Sequence, residues 1–181
     1  LAKGKTTLKN CAIEPEVKDL ILFLQKLGGK IYVKGRTILI EESEIKKKLI
    51  NHEIIFDRIE AGTYMIASAL IGKKITINKI NPNIVKSEIN ILKKMGVKIK
   101  KNISSIIIQK NIKLKKTNVI TKPYPGFPTD LQAQLMVLMT QAKGISKISE
   151  NIFENRFMHV PELKRMGAKI KIINKTALIE G

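Results

Sequence analysis

The stretch TKPYPGFPTD at residues 121–130 places three prolines and a glycine ahead of a single carboxylate, Asp130. Proline fixes φ and also restricts the residue before it, so such a loop holds its end in one position at low entropic cost. A helix cap does not need this rigidity, whereas a carboxylate that must meet a hydroxyl within about 3 Å does. We therefore predict that Asp130 is a functional carboxylate, with the hydroxyl of Thr129 beside it.

A second group of polar side chains lies in NIFENRFMH, residues 151–159, which joins a predicted strand to a predicted helix. Glu154 and Arg156 stand there among large apolar residues. They would form a surface ion pair of little energetic consequence, or they would line a cleft at the same end of the unit as Asp130. The sequence leaves both interpretations open, and it favours a structural role for His159.

Asp57 resembles Asp130 in position, because each stands where a predicted strand passes into the first helix of a unit. An Asp at a helix start accepts backbone N–H bonds and faces the positive end of the helix dipole, which contributes about 1 kcal/mol. Capping alone would explain Asp57. No metal-ligand spacing, phosphate-binding glycine loop or nucleophile elbow occurs in the sequence, so we expect neither a metal nor a cofactor.

The elements that must position these residues follow an internal repeat. LQKLGGKI, LKKMGVKI and LKRMGAKI begin at residues 24, 92 and 163, and each ends an amphipathic stretch with a glycine before a β-like run. A glycine at this place is typical of a helix C-terminus that needs a positive φ. The runs that follow predict hairpins.

A repeat unit of about 70 residues is predicted to contain a strand, a helix, a strand, a helix and two short strands. Strands at Glu53–Phe56 and Asn118–Thr121 would begin two of the units, followed by helices at Ile59–Leu70 and Asp130–Ala142. The chain starts in the middle of a unit, which predicts a fragment. Stacked units would bury their helices in a shared interior, and the weakest joint would be the Lys-rich segment Lys46–His52.

The composition restricts the classes of protein. A net charge of +19 would suit a nucleic-acid-binding protein, but the lysines are spread over every segment and aromatic residues make up only 4%. Lys, Ile and Asn all have A/T-rich codons, so drift in base composition also explains the charge. The single cysteine, Cys11, excludes an internal disulfide, and no apolar run reaches the roughly 18 residues of a membrane span. We expect neither a nucleic-acid nor a membrane partner.

Four stretches resemble one family, the enolpyruvyl transferases: EPEVKDLILFL, DRIEAGTYMIASAL, TKPYPGFPTDLQAQ and IFENRFMHVPELKRMGAKI. The last is similar to the branch of UDP-N-acetylglucosamine 1-carboxyvinyltransferases. The resemblance implies an α/β (α+β) fold, an inside-out α/β barrel of repeated βαβαββ units in two lobes. Residues 1–52 would be the C-terminal portion of the first lobe, and residues 53–181 most of the second, with two repeat units.

The resemblance also implies an activity. The enolpyruvyl group of phosphoenolpyruvate would pass to the 3′-hydroxyl of UDP-N-acetylglucosamine with release of phosphate, the first committed step of peptidoglycan synthesis, in the cytoplasm. By motif, Asp130 is similar to the base that binds and deprotonates this hydroxyl, Thr129 to a neighbouring sugar contact and Ile152 to a backbone contact of the nucleotide sugar. Residues similar to the wall and hinge of the family's interdomain cleft are Asp57, Glu154 and Arg156.

Two positions depart from the family pattern, because Phe56 stands where the family has Pro and Asn151 where it has Thr. Neither change removes a proposed chemical group. The family's Lys-Asn pair, its loop with the acid cysteine and its C-terminal Arg have no counterpart in this sequence, so the resemblance implies a fragment without transferase activity of its own. A shikimate-pathway relative, or a degenerate basic RNA-binding or scaffold protein, remains as an alternative.

Overall fold

The computed structural model describes residues 2–45, 49–109 and 113–181, in which helices and short strands alternate. The helices in these ranges are α1 (Pro15–Lys26), α2 (Arg58–Ile71), α3 (Lys86–Lys94), α4 (Gln132–Met139) and α5 (Val160–Arg165), with a 3-10 turn at Thr129–Leu131. The strands are β1 (Lys5–Leu8), β2 (Lys30–Lys34), β3 (Thr37–Glu41), β4 (Ile75–Asn78), β5 (Lys98–Lys101), β6 (Ser105–Gln109), β7 (Leu114–Lys115), β8 (Asn118–Ile120), β9 (Ala142–Lys143), β10 (Ile145–Ser149), β11 (Lys169–Ile173) and β12 (Thr176–Glu180). This is an α/β fold, as predicted.

The chain divides into two compact units between Ile55 and Phe56. The first unit is an antiparallel sheet of order β1-β3-β2 with α1 packed on it, and its small core is Ile21, Ile31 and Ile38. Residues 46–48 of the predicted joint lie outside the described residues. The assignment of residues 1–52 and 53–181 to the two family lobes stays a prediction.

The described part of the second unit contains three sheets. One sheet has the order β4-β6-β5, and another has the order β11-β12-β10-β8, in which β8 and β10 run parallel with Lys147 opposite Asn118. The β5–β6 and β11–β12 pairs are the predicted hairpins. A third, two-stranded pairing joins β7 to β9.

The repeated glycines end three helices. Gly28, Gly96 and Gly167 follow α1, α3 and α5 with φ of 101°, 92° and 95°. Each backbone N–H donates to a carbonyl of the last helical turn, as at Gly96, where the acceptor is Lys93. The predicted positive φ at these positions is confirmed, and it explains why the helices stop where the β hairpins begin.

The core of the second unit lies around α2 and α4, which pack against each other. Met65 of α2 and Leu135 and Met139 of α4 are fully buried. Gly62 of α2 faces Leu131, and a Cβ at position 62 would collide with the side chain of Leu131. Helices that are apolar on most of their surface are buried helices. Among the described residues, no helix combines the length and apolarity that crossing a membrane would require.

One predicted strand is absent, and one predicted helix differs in its extent. Glu53–Phe56 forms no strand: Ile54 is 78% exposed, and Phe56 packs against the core of the second unit without strand pairing. The helix predicted at Asp130–Ala142 begins as a 3-10 turn because Pro128 holds extended backbone before it, and it ends at Met139. Ala142 instead pairs with Leu114 in β9, which shows that tertiary pairing overrides helix propensity there.

A candidate active site around Asp130 and Arg156

The proline loop, residues 121–128, is closed by backbone hydrogen bonds. The N–H of Lys122 donates to the carbonyl of Phe127 at 3.0 Å, and the N–H of Gly126 donates to that of Pro123 at 2.8 Å. Phe127 is buried in the core of the second unit. The loop is therefore fixed by its bonds and its anchored phenyl ring as well as by its prolines, and it delivers the chain to the 3-10 turn that carries Asp130.

The carboxylate of Asp130 lies at the surface and is paired. The guanidinium Nη2 of Arg156 donates to its Oδ1 at 2.6 Å, and the side chains of Arg156 and Asp130 are 40% and 53% exposed, respectively. The guanidinium also lies over the ring of Phe153, 5.4 Å from its centroid. Two of the predicted site residues, which come from separate loops, are thus in direct contact.

Glu150, which the sequence did not single out, is the buried acid of this region. It is 2% exposed and follows directly after β10. Its Oε2 accepts from the hydroxyl of Thr129 at 2.7 Å, and its Oε1 accepts from the hydroxyl of Thr121 and the backbone N–H of Ile152, both at 2.8 Å. A longer bond of 3.2 Å comes from the N–H of Phe153.

The pKa of Glu150 reflects two opposing effects. Burial raises the pKa, but the hydrogen bonds from Thr129, Ile152, Thr121 and Phe153 outweigh the burial and hold the pKa below its ordinary value of 4.5. The residue is therefore a buried anion. The available sequence signal was an acid at the end of a strand in a chain with only 15 acids, at the start of the polar 151–159 loop.

Thr129 and Ile152 have defined partners in this arrangement. The buried Thr129 hydroxyl donates its one hydrogen to Glu150, so a contact with a sugar would have to use its oxygen as an acceptor. The N–H of Ile152 also donates to Glu150, so a backbone contact from Ile152 would have to use its carbonyl. Their roles as ligand contacts stay predictions within these limits.

An open cavity of about 590 Å³ lies beside the ion pair. Residues 153–158 line it together with Glu150 and the β11–β12 turn at Asn174 and Lys175. Asp130 is not among the described residues that line it, but Arg156 belongs to both the cavity wall and the ion pair. Glu154 is an exposed wall residue.

His159 lies next to this wall without a role in it. Burial lowers the pKa of His159, and the positive charge of Arg156 lowers it further. The imidazole is therefore neutral at pH 7. Its Nε2 is buried and has no hydrogen-bond partner in the described part of the chain.

Asp57 is the N-cap of α2. Its Oδ1 accepts from the N–H groups of Ile59 at 2.7 Å and Glu60 at 3.1 Å, so the capping interpretation is confirmed. The next residue, Arg58, lies over the ring of Tyr124 in the proline loop at 5.7 Å. The cleft role of Asp57 stays a prediction.

The chemistry of this arrangement follows from its charges. Asp130 presents an oriented carboxylate that can accept a hydrogen bond and a proton from a hydroxyl, and Arg156 presents a cation that can face an anion.

Within residues 2–45, 49–109 and 113–181, no group of three or more His, Cys, Asp or Glu side chains is arranged to hold a metal ion.

Comparison with known proteins places the chain in a family. The family model described as EPSP synthase (3-phosphoshikimate 1-carboxyvinyltransferase) matches residues 1–181. The UDP-N-acetylglucosamine 1-carboxyvinyltransferase of Pelagibacter ubique is 56% identical, and that of Halothermothrix orenii is 52% identical; the alignments cover 100% and 99% of this chain and 43% of each relative.

Solved structures of enolpyruvyl transferases share the fold of this chain. The enolpyruvyl transferase NikO from Streptomyces tendae superposes with a TM-score of 0.86 at 25% identity, over 99% of this chain and 43% of that one. EPSP synthase from Acinetobacter baumannii shares the fold, with a TM-score of 0.68 at 20% identity over the same shares. The chain spans 43% of the length of the curated relatives named above. Since the family model covers the whole chain, this chain belongs to the EPSP synthase (3-phosphoshikimate 1-carboxyvinyltransferase) family of enolpyruvyl transferases.

Proposed function

We propose that this chain is part of a UDP-N-acetylglucosamine 1-carboxyvinyltransferase. The reaction transfers the enolpyruvyl group of phosphoenolpyruvate to the 3′-hydroxyl of UDP-N-acetylglucosamine and releases phosphate, in the first committed step of peptidoglycan synthesis. The names of the relatives at 52–56% identity support this acceptor. A cytoplasmic location and a reaction without a resident metal or cofactor belong to the same proposal.

The observation that carries the proposal is the exposed Asp130 carboxylate, which Arg156 orients at 2.6 Å at the end of a hydrogen-bonded proline loop. A carboxylate has about four lone-pair positions. One bond from Arg156 therefore leaves room for the sugar hydroxyl. Asp130 accepts the hydrogen bond of that hydroxyl and takes its proton as the oxygen adds to the enol carbon of phosphoenolpyruvate, while a separate acid protonates the neighbouring CH₂ carbon. Elimination of phosphate and a proton from this adduct then restores the double bond.

The other residues act around this carboxylate. Arg156 holds it in one orientation and places a cation beside the anionic substrates. Glu154 and Arg156 form part of the wall of the cavity, and Ile152 offers its backbone carbonyl to the nucleotide sugar. Thr129 stands beside Asp130 as a hydrogen-bond acceptor, and Asp57 fixes the start of α2 as its N-cap.

The shikimate-pathway reaction is the second candidate, because the family model and two of the structural neighbours bear its name. Those structures are only 20% identical, which supports the fold alone. The loop at residues 151–159 and the 56% identical relative favour the UDP-sugar. A nucleic-acid role has no comparable support.

Calorimetric titration tests the proposal. UDP-N-acetylglucosamine and shikimate 3-phosphate are titrated separately into the chain, into Asp130→Ala and into Glu162→Ala. Glu162 is the matched control, an exposed acid that Arg165 contacts at 3.4 Å on α5. We expect UDP-N-acetylglucosamine to bind and shikimate 3-phosphate not to bind. Asp130→Ala should raise the Kd for UDP-N-acetylglucosamine about tenfold, and Glu162→Ala should change it by less than about twofold. Binding of shikimate 3-phosphate alone, or equal affinities of the two variants, would overturn the proposal.

A further inference from the structure

Glu150 joins the two loops that carry the candidate site. Thr121 and Thr129 stand at the two ends of the segment that contains the proline loop, and both hydroxyls donate to the Glu150 carboxylate, at 2.8 and 2.7 Å. Ile152 and Phe153 open the 151–159 loop, and both backbone N–H groups donate to the same carboxylate. One buried side chain therefore accepts from both segments.

The backbone around Glu150 strengthens this junction. The N–H of Glu150 donates to the carbonyl of Lys175 at 2.8 Å, which anchors it to the β11–β12 turn. The N–H of Asn151 donates to the Thr121 hydroxyl oxygen at 3.0 Å, so the two loops are also joined directly. The carboxylate is fixed at its base and at both of its oxygens.

The chemistry of the cluster requires an acceptor at this position. All four contacts come from donors, and an ionised carboxylate is the side chain that accepts at both oxygens without offering a hydrogen. An amide would replace one of these acceptor oxygens with an NH₂ group, and the donor that faces it would lose its acceptor. A cluster in a water-poor site responds strongly to such a mismatch.

The functional pair lies directly beside this junction. Asp130 follows Thr129, and Arg156 lies three residues beyond Phe153. Their 2.6 Å contact exists only while the two loops keep their relative position. We infer that Glu150 is a positioning residue, which locks the proline loop to the 151–159 loop so that Asp130 and Arg156 meet. Its effect on ligand binding rests on the proposed function.

The test uses two kinds of variant. Glu150→Gln removes the charge, and Thr121→Val removes a fully buried hydroxyl that is not next to Asp130. Thr121→Ser restores that hydroxyl. Ser146→Ala is the matched control, because Ser146 is a fully buried hydroxyl on β10 that accepts from the N–H of Thr117 outside the Glu150 cluster.

Three readouts separate positioning from general stability. They are the melting temperature, the NMR signal of the Arg156 side-chain N–H groups without ligand, and the Kd for UDP-N-acetylglucosamine. The Arg156 signal is identified by its change in Asp130→Ala. We expect Glu150→Gln and Thr121→Val to shift or broaden the Arg156 signal toward that of Asp130→Ala and to weaken binding about tenfold. Thr121→Ser should keep the Arg156 signal and the Kd of the unsubstituted chain. Ser146→Ala should lower only the melting temperature.

The outcomes are decisive for each part. An unchanged Arg156 signal and Kd in Thr121→Val, with a lower melting temperature, would overturn the inference and leave Glu150 as a structural residue. If the unsubstituted chain does not bind UDP-N-acetylglucosamine, the proposed function fails, and the Arg156 signal still decides whether Glu150 positions the pair. If Glu150→Gln does not fold, the Thr121 variants give the answer.

Discussion

The Nη2 of Arg156 lies 2.6 Å from the Oδ1 of Asp130, although the two residues are 26 positions apart and belong to different loops. The pair is roughly half exposed, so the interaction adds little to the stability of the fold. It does fix the orientation of a carboxylate at the surface. This contact is the reason to regard both residues as parts of one site.

Arg156→Lys should separate orientation from charge. Lysine keeps the positive charge but loses the planar fork that contacts the carboxylate and lies over Phe153. We expect the affinity for UDP-N-acetylglucosamine to fall about threefold to tenfold, with less than about 1 kcal/mol lost in urea unfolding. Arg165→Lys, at the exposed pair with Glu162, is the control and should leave affinity unchanged. Equal affinities of wild type and Arg156→Lys for UDP-N-acetylglucosamine would argue against a role of the Arg156–Asp130 contact in ligand binding.

Glu150→Gln should destabilise the chain in a pH-dependent way. Because the pKa of Glu150 is lowered in the folded state, its contribution is present above its ordinary pKa of 4.5 and is lost as the pH falls through the folded value. We expect Glu150→Gln to cost about 1–3 kcal/mol at pH 7, and the gap from wild type to shrink below pH 4.5. Urea unfolding of both proteins between pH 3 and pH 8 measures this difference in unfolding free energy. A difference that does not vary with pH would refute the claim that Glu150 is a buried anion with a lowered pKa.

Glu88→Gln should show the opposite dependence. Burial raises the pKa of Glu88 above 4.5, and the hydrogen bond from Ser87 and the charge of Arg58 offset only part of this effect. A raised pKa in the folded state means that stability is lost as the pH rises through the folded value. We expect Glu88→Gln to match wild type near pH 4 and to exceed it at pH 8 in urea unfolding. A variant less stable than wild type at pH 8 would contradict the sign.

The Ser87 hydroxyl explains how a protonated Glu88 is accommodated. It lies 2.7 Å from Oε2 of Glu88 and 3.1 Å from the carbonyl of Gly126 in the proline loop, and it has one hydrogen for two acceptors. A neutral Glu88 can donate to Ser87, which then donates to Gly126. The same hydroxyl donates to an ionised Glu88 and lowers its pKa, so Ser87→Ala should raise that pKa further and enlarge the stability difference between Glu88→Gln and the Glu88 chain at pH 8 in urea unfolding.

Gly62→Ala should disturb the packing beneath Asp130. The new Cβ would collide with Leu131, which is fully buried and has little freedom to move. We expect a loss of about 1–3 kcal/mol in unfolding free energy. In a Leu131→Ala background the obstructing side chain is absent, so the same substitution should cost much less. Equal costs in both backgrounds would mean that α2 and the 3-10 turn do not meet as described.

The sequence predicted the parts of this site that depend on local chemistry. The prolines indicated a fixed loop before Asp130, and the repeated glycines indicated three helix ends with positive φ, because both effects arise within a few residues. The predicted capping by Asp57 is local in the same sense. The repeat unit indicated that the 151–159 loop lies at the same end as Asp130, and the family resemblance added the roles expected of these residues.

The parts that escaped prediction depend on contacts between distant residues. Glu150 gains its donors from Thr121 and Thr129, which are 29 and 21 positions away, and no local pattern identifies such a cluster. The predicted strand at Glu53–Phe56 had suitable residues but pairs with no strand in the described part of the chain. Helix α4 stops at Met139 because Ala142 pairs with Leu114, a choice made by the fold as a whole.

The most direct test of the central claim compares two ligands on two proteins. UDP-N-acetylglucosamine and its analogue without the 3′-hydroxyl are titrated into the wild-type chain and into Asp130→Ala. If Asp130 binds that hydroxyl, the analogue binds wild type about tenfold more weakly, and Asp130→Ala binds both ligands equally. The same loss on both proteins, or no loss on wild type, would show that Asp130 does not contact the 3′-hydroxyl.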